Sequence, residues 1–203
     1  MQISLTQFVD VVARSGLRKF GKVQEVRQQL ADEYSPGKDM YKGLRDGIIL
    51  MHKQGRENLY LDQVVFATRD QKRKKLYTER VASYKKWLGR KAPTWFEPCT
   101  AIFKGHGVDV RINPEIGLVW RGKTYLIKLY FKAEKLDLQA ARLIGAMMRQ
   151  SLGSQHPDVT FAVLDVKQGK LREFEGDLDS RLLSVIDAEL LYLARLFSEG
   201  DAA

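Results

Sequence analysis

Apolar positions recur every three or four residues through roughly the first ninety residues, alternate with polar ones through the middle, and return to helical spacing at the end. Ser4 suits an N-cap ahead of Leu5, Phe8, Val9 and Val12, and Gly16 stops that short helix. A second helix is predicted from Leu17 to Tyr34, ended by Ser35-Pro36-Gly37. A third is predicted from Lys38 to His52, with Met40, Leu44, Ile48 and Met51 at helical spacing and Gly55 beyond it. Residues 56–68 fit no single template, although Asp62 suits a short capped turn. From Gln71 to Leu88 the pattern predicts a long helix closed by Gly89, with an apolar stripe of Leu76, Val81, Tyr84 and Trp87.

After Pro93 the period shortens. Residues 99–104 read as a strand and Gly105-His106-Gly107 as a turn. Along residues 108–113, Val108, Val110 and Ile112 share one face and Asp109, Arg111 and Asn113 the other. Pro114 interrupts, and the chain continues through Ile116, Leu118 and Trp120 to a turn at Arg121-Gly122-Lys123. Residues 124–131 form the clearest strand, with Tyr125, Ile127, Leu129 and Phe131 on one face and Thr124, Leu126, Lys128 and Tyr130 on the other. Asp137 caps a helix that ends near Gly153 and is apolar around much of its surface. Residues 159–165 read as a buried strand, Leu171–Phe174 as an edge strand, and Asp179 as the cap of a final helix. The predicted class is α+β or α/β. A helical extension over residues 1–68 precedes an αβββαβ mixed-sheet core and C-terminal helix over residues 69–203, with a right-handed parallel crossover joining 124–131 to 159–165.

Charge changes this picture more than composition does. The 203 residues are 44% hydrophobic and 29% charged, ordinary for a globular chain. No apolar run nears the ~20 residues of a membrane span, so no membrane partner is expected. The start of the chain lacks a secretory leader's features, and the lone Cys99, read as a small buried strand residue, excludes an internal disulfide; a cytoplasmic setting is expected. The net charge of +9 is unevenly spread. Residues 69–91 hold ten basic side chains against two acids, a local charge of +8, while residues 172–203 hold three arginines against eight acids, or −5. Lys72, Arg73, Lys74, Lys75, Arg80, Lys85 and Lys86 therefore form a candidate ridge for the phosphates of DNA or RNA, with a solvated helix face as the plainer alternative.

Within the sheet region, Pro114-Glu115 is followed, ten residues later, by Leu126-Ile127-Lys128, and then by a helix opening with Gln139. With the predicted order of helix, three strands, helix and strand, this resembles the PD-(D/E)XK nuclease superfamily over roughly residues 70–166. The resemblance implies a restriction-endonuclease-like fold. Glu115, with Asp109 as a competing acid, would hold Mg²⁺ or Mn²⁺; Lys128 would position the attacking water; Gln139 would support it. Glu79 matches the helix acid of some members. Leu126 stands where the family carries its second acid. The resemblance therefore implies either a metal-dependent phosphodiesterase or a core that binds nucleic acid without cutting it.

Plainer readings accompany each residue. Glu115 is also a turn acid beside a proline, and Gln139 a helix-start residue. Lys128, a charge within an apolar strand, needs a partner, which Glu115 or Asp109 could supply as a structural ion pair. His52, His106 and His156 lack metal spacing and read as surface residues. Trp95-Phe96 suits packing or base stacking. A different class of function also fits: an assembly module whose basic helix and acidic C-terminal face pair between copies of the chain.

Overall fold

The computed structural model describes residues 1–31, 39–133, 136–174 and 178–198. The chain runs β1 (Gln2–Ser4), α1 (Leu5–Val12), α2 (Gly16–Ala31), α3 (Lys42–Lys53), α4 (Tyr60–Ala67) and α5 (Gln71–Leu88). It continues through β2 (Thr94–Phe96), β3 (Ala101–Gly105), β4 (Val108–Ile112), β5 (Ile116–Trp120) and β6 (Lys123–Tyr130), then α6 (Leu138–Leu152), β7 (Val159–Asp165), β8 (Lys170–Glu173) and α7 (Ser180–Ser198). The expected helix end at Tyr34 and helix start at Lys38 lie outside the described residues, as do Glu175, Asp177, Glu199 and Asp201 of the acidic stretch. The class is mixed α+β. No helix among the described residues is long and apolar enough to cross a membrane.

Local chemistry explains the element ends. Ser4 and Gln7 form a reciprocal capping box: the Gln7 N–H donates to Ser4 Oγ at 3.2 Å and the Ser4 N–H to Gln7 Oε1 at 2.8 Å. Asp70 caps α5 by accepting from the Arg73 N–H at 2.8 Å, and Gly89, at a φ of 52°, ends it. Asp137 caps α6 through the Ala140 N–H at 2.6 Å. Asp179 accepts from the Arg181 N–H at 2.9 Å ahead of α7.

Two sheets form. The larger has the order β2-β5-β6-β7-β8; β6 and β7 are parallel and every other neighbouring pair is antiparallel. The smaller has the order β1-β4-β3, with β1 parallel to β4. This corrects the expected three-strand meander. The β3–β4 hairpin does not continue into β5; it joins β1, and the strand beside β5 is β2, which carries Trp95 and Phe96. The cause lies at Asn113-Pro114, where proline offers no N–H to extend a ladder and the chain changes sheets.

The larger sheet is buried on both faces. Tyr125, Ile127 and Leu129 of β6 pack with Leu44, Ile48 and Met51 of α3, Leu61 of α4, and Tyr77, Val81, Tyr84 and Trp87 of α5. Leu126 faces the other way, into a core with Phe161 and Val163 of β7, Ile144, Met147 and Met148 of α6, Phe8 of α1, and Val108, Val110 and Ile112 of β4. The helices ahead of residue 69 are thus built into both cores. On α5, Tyr77 rather than Leu76 leads the buried stripe, and Leu76 is half-buried.

Candidate functional site

Lys128 lies on β6, the middle strand of the larger sheet, and shares the Leu126 face. The β5–β6 register pairs Ile116 with Ile127, and one residue further back the Glu115 N–H donates to the Ile127 carbonyl at 3.0 Å. Glu115 is thereby set beside Lys128. The Lys128 ammonium is 2.6 Å from Glu115 Oε1, with side-chain exposures of only 6% and 9%. It also donates to the Asn113 carbonyl and to Asn113 Oδ1, each at 3.2 Å. Glu115 Oε2 accepts from the Leu129 N–H at 2.7 Å. Where Pro114 ends the β5 ladder, the Glu115 carboxylate takes the next β6 amide. Three acceptors meet the three ammonium hydrogens, so the buried cation is fully partnered.

Opposite charges continue outward from this pair. Arg45 of α3 lies 2.6 Å from Asp39. Burial works against the Arg45 charge, but the Asp39 hydrogen bond and carboxylate, helped by Glu115, outweigh it and raise its pKa. Lys132, just past β6, lies 2.5 Å from Asp10 of α1.

The other expected site residues are elsewhere. Asp109 sits on β4 in the smaller sheet, opposite Gln2 and Lys104, and the partner of Lys128 is Glu115 rather than Asp109. Gln139 is exposed in the first turn of α6. Leu126 is 0% exposed, so an apolar wall stands where a second acid would be needed. Hard divalent cations need several oxygen ligands. Among the described residues the site offers the Glu115 carboxylate, both its oxygens are engaged, and an ammonium lies against one of them. This donor set does not fit Mg²⁺ or Mn²⁺. Among the described residues no three His, Cys, Asp or Glu side chains gather to hold a metal ion.

On α5, Lys72, Lys75 and Lys86 are exposed, as is Arg69 just before the helix. Arg73, Lys74 and Lys85 are half-buried; Lys74 lies 5.5 Å from the Phe66 ring centroid and Lys85 2.5 Å from Asp62. Arg80 corrects the expected ridge. It is 2% exposed, beneath the surface, with its guanidinium 5.9 Å from the Tyr41 ring and 3.4 Å from the exposed Glu79, and its Nε has no partner among the described residues. Its place at i+3 from Tyr77 and i−4 from Tyr84 was the available signal.

Sequence reasoning missed other buried polar groups. His52, expected at the surface, is 8% exposed, and its Nε2 shares a 2.6 Å hydrogen bond with the Tyr84 hydroxyl. Burial lowers the His52 pKa to about 4 and raises that of Tyr84. Asp165, at the end of β7, accepts from the Leu136 and Gln168 amides at 3.1 and 3.0 Å and so fixes the adjoining loops. Trp95 and Phe96 pack against the two cores, and Cys99 is half-buried ahead of β3 rather than within it. Comparison with protein-family models gives no match, and comparison with curated proteins gives none.

Proposed function

We propose that this protein binds nucleic acid through its phosphate backbone and does not cut it. The observation that carries this reading is the row of cations along α5. Lys72, Lys75 and Lys86 are exposed at helical spacing, and none of them pairs with a carboxylate among the described residues. Unneutralised cations on a rigid helix displace condensed counterions from a polyanion, and such contacts hold the backbone without reading bases.

The nuclease-like architecture is part of the same proposal. The order α5, β2, β5, β6, α6, β7 supports an αβββαβ core, with the β3–β4 hairpin as an insertion between its first two strands. Chemistry at its centre is disfavoured by the closed Glu115–Lys128 pair and by the Leu126 wall. The assembly reading is weakened because two of the C-terminal acids already have partners within the chain: Glu189 lies 2.5 Å from Lys19 and Asp187 2.8 Å from His106.

Fluorescence anisotropy with duplex DNA and RNA of unrelated sequences tests the binding. Affinity should fall steeply from about 50 to 200 mM salt, with a log–log slope of about −0.9 per duplex phosphate contact. Lys72→Gln/Lys75→Gln should flatten that slope by about two contacts. Incubation with Mg²⁺ or Mn²⁺ should leave the strands intact for wild type and Lys128→Ala alike. Salt-insensitive or absent binding overturns the backbone reading, and Lys128-dependent cleavage overturns the non-cutting one.

A further inference from the structure

At the far end of the β5–β6 hairpin from Glu115, a pocket of about 590 Å³ is lined by Arg90, Lys91, Ala92, Trp120 and Arg121. We propose that this pocket binds the phosphate group of a nucleotide. It stands on its own lining and draws on the nucleic-acid reading only for a strand as one source of that phosphate.

Two local features bring the cations together. Gly89 ends α5 with a left-handed φ of 52°, and Arg90 and Lys91 follow directly. The Lys91 ammonium donates to the Trp87 carbonyl and lies 5.2 Å from the Trp87 ring centroid. From the other side, β5 and β6 are joined by Arg121 and Gly122 at φ values of 52° and 74°. Such a two-residue turn favours Asn, Asp or Gly at its first position. Arginine there sits in a backbone region that side chains with a Cβ adopt reluctantly, and it places a guanidinium at the pocket rim.

The resulting charge is unanswered. Arg90 and Arg121 are exposed, and neither pairs with a carboxylate among the described residues. Burial, and after it the Arg121 charge, lowers the Lys91 pKa, so the cations crowd one another. A bound anion would relieve that crowding. A phosphate suits it better than a carboxylate, because its oxygens can accept from both guanidinium forks and still leave one facing the ammonium.

The remaining wall points to what the phosphate carries. Trp120 is held rigidly, stacked on Tyr125 at 3.9 Å and 16° and meeting Trp87 edge-on at 6.2 Å. The pocket is open to solvent on one side, and at about 590 Å³ it has room for more than a bare phosphate. An apolar indole beside a cationic cup fits a nucleoside monophosphate or a nucleotide at the end of a strand.

The test uses adenosine monophosphate, followed by calorimetry, and a labelled single-stranded oligodeoxynucleotide, followed by anisotropy. Wild type is compared with Arg121→Asn, which suits the turn, with Arg90→Gln, and with Lys72→Gln/Lys75→Gln. Loss of a charge-assisted contact should weaken the pocket's ligand about tenfold for each arginine variant. Weakened mononucleotide binding, untouched by the α5 double variant, supports the pocket with a free nucleotide as the source. Weakening seen only with the oligonucleotide supports it with a strand as the source. If both arginine variants bind both probes as wild type does, the pocket is overturned, while a defect in the α5 double variant still upholds backbone binding. If wild type binds the mononucleotide but no strand, and the arginine variants weaken that binding, the pocket stands and the backbone reading falls. Binding of neither probe overturns both.

Discussion

The carboxylate of Glu115 bridges the side chain of Lys128 and the backbone of the very next residue, accepting from the ammonium at 2.6 Å and from the Leu129 N–H at 2.7 Å. Removing one member of such a buried pair strands the other and costs about 3–5 kcal/mol. Glu115→Gln and Lys128→Met should each lose stability on that scale in urea unfolding. The Glu115→Leu/Lys128→Met double variant should lose less than the two single losses combined. Wild-type unfolding midpoints for both single variants would remove the pair's structural role.

Placing an acid at position 126 should not create a nuclease. Leu126 is fully buried among Phe161, Val163 and the α6 side chains. Leu126→Glu forfeits that packing and buries a carboxylate, so a loss of at least about 3 kcal/mol is expected, with no metal-dependent cleavage. Gain of Mg²⁺-dependent cleavage in this variant would show that the Glu115–Lys128 site can accept a metal after all.

His52 makes stability depend on pH. Its folded pKa is about 4, against an ordinary value of 6.5, because burial disfavours the charged imidazole. Above the unfolded value both states are neutral at this site, and its full contribution is present. As pH falls from about 6.5 to about 4, the unfolded chain takes up a proton that the folded one refuses, and up to about 3 kcal/mol is lost. His52→Gln, which keeps a polar partner for Tyr84, should flatten that decline. NMR titration of the folded His52 ring near pH 6.5 would contradict its burial.

Gly117 marks where β2 crosses close to β5. A Cβ there would lie 2.6 Å from the Phe96 carbonyl oxygen and 2.8 Å from its ring. Backbone cannot step aside cheaply, so Gly117→Ala should destabilise by about 1–3 kcal/mol, measured as a lower denaturation midpoint. An unchanged midpoint would show that β2 is looser than this contact implies.

How much of this was legible follows from what periodicity encodes. The two-faced apolar pattern of Tyr125–Phe131 fixes β6 as a strand covered on both sides, and Asp137, Gly89 and Ser4 mark helix ends through backbone chemistry that acts locally. The alternation of Val108, Val110 and Ile112 says which side of β4 is buried but not which strands lie beside it, so the second sheet was not foreseen. β1 and β2 each span three residues, too few to show a period. Arg80 hid within a cationic run because charge suggests exposure, whereas position on the helix decides it. Glu115 and Lys128 were legible as neighbours, since an isolated lysine in an apolar strand demands an acceptor; that Asn113 and the Leu129 amide would complete the set was not.

The parallel pairing of Ile3 with Val110 has a kinetic consequence. The opening strand has no partner until β4 has been made, and every helix from α1 to α5 lies in the intervening loop. Contacts of such long range are slow to close. The small sheet should therefore lock late, and β1 is open to chaperones and to mispairing while it waits.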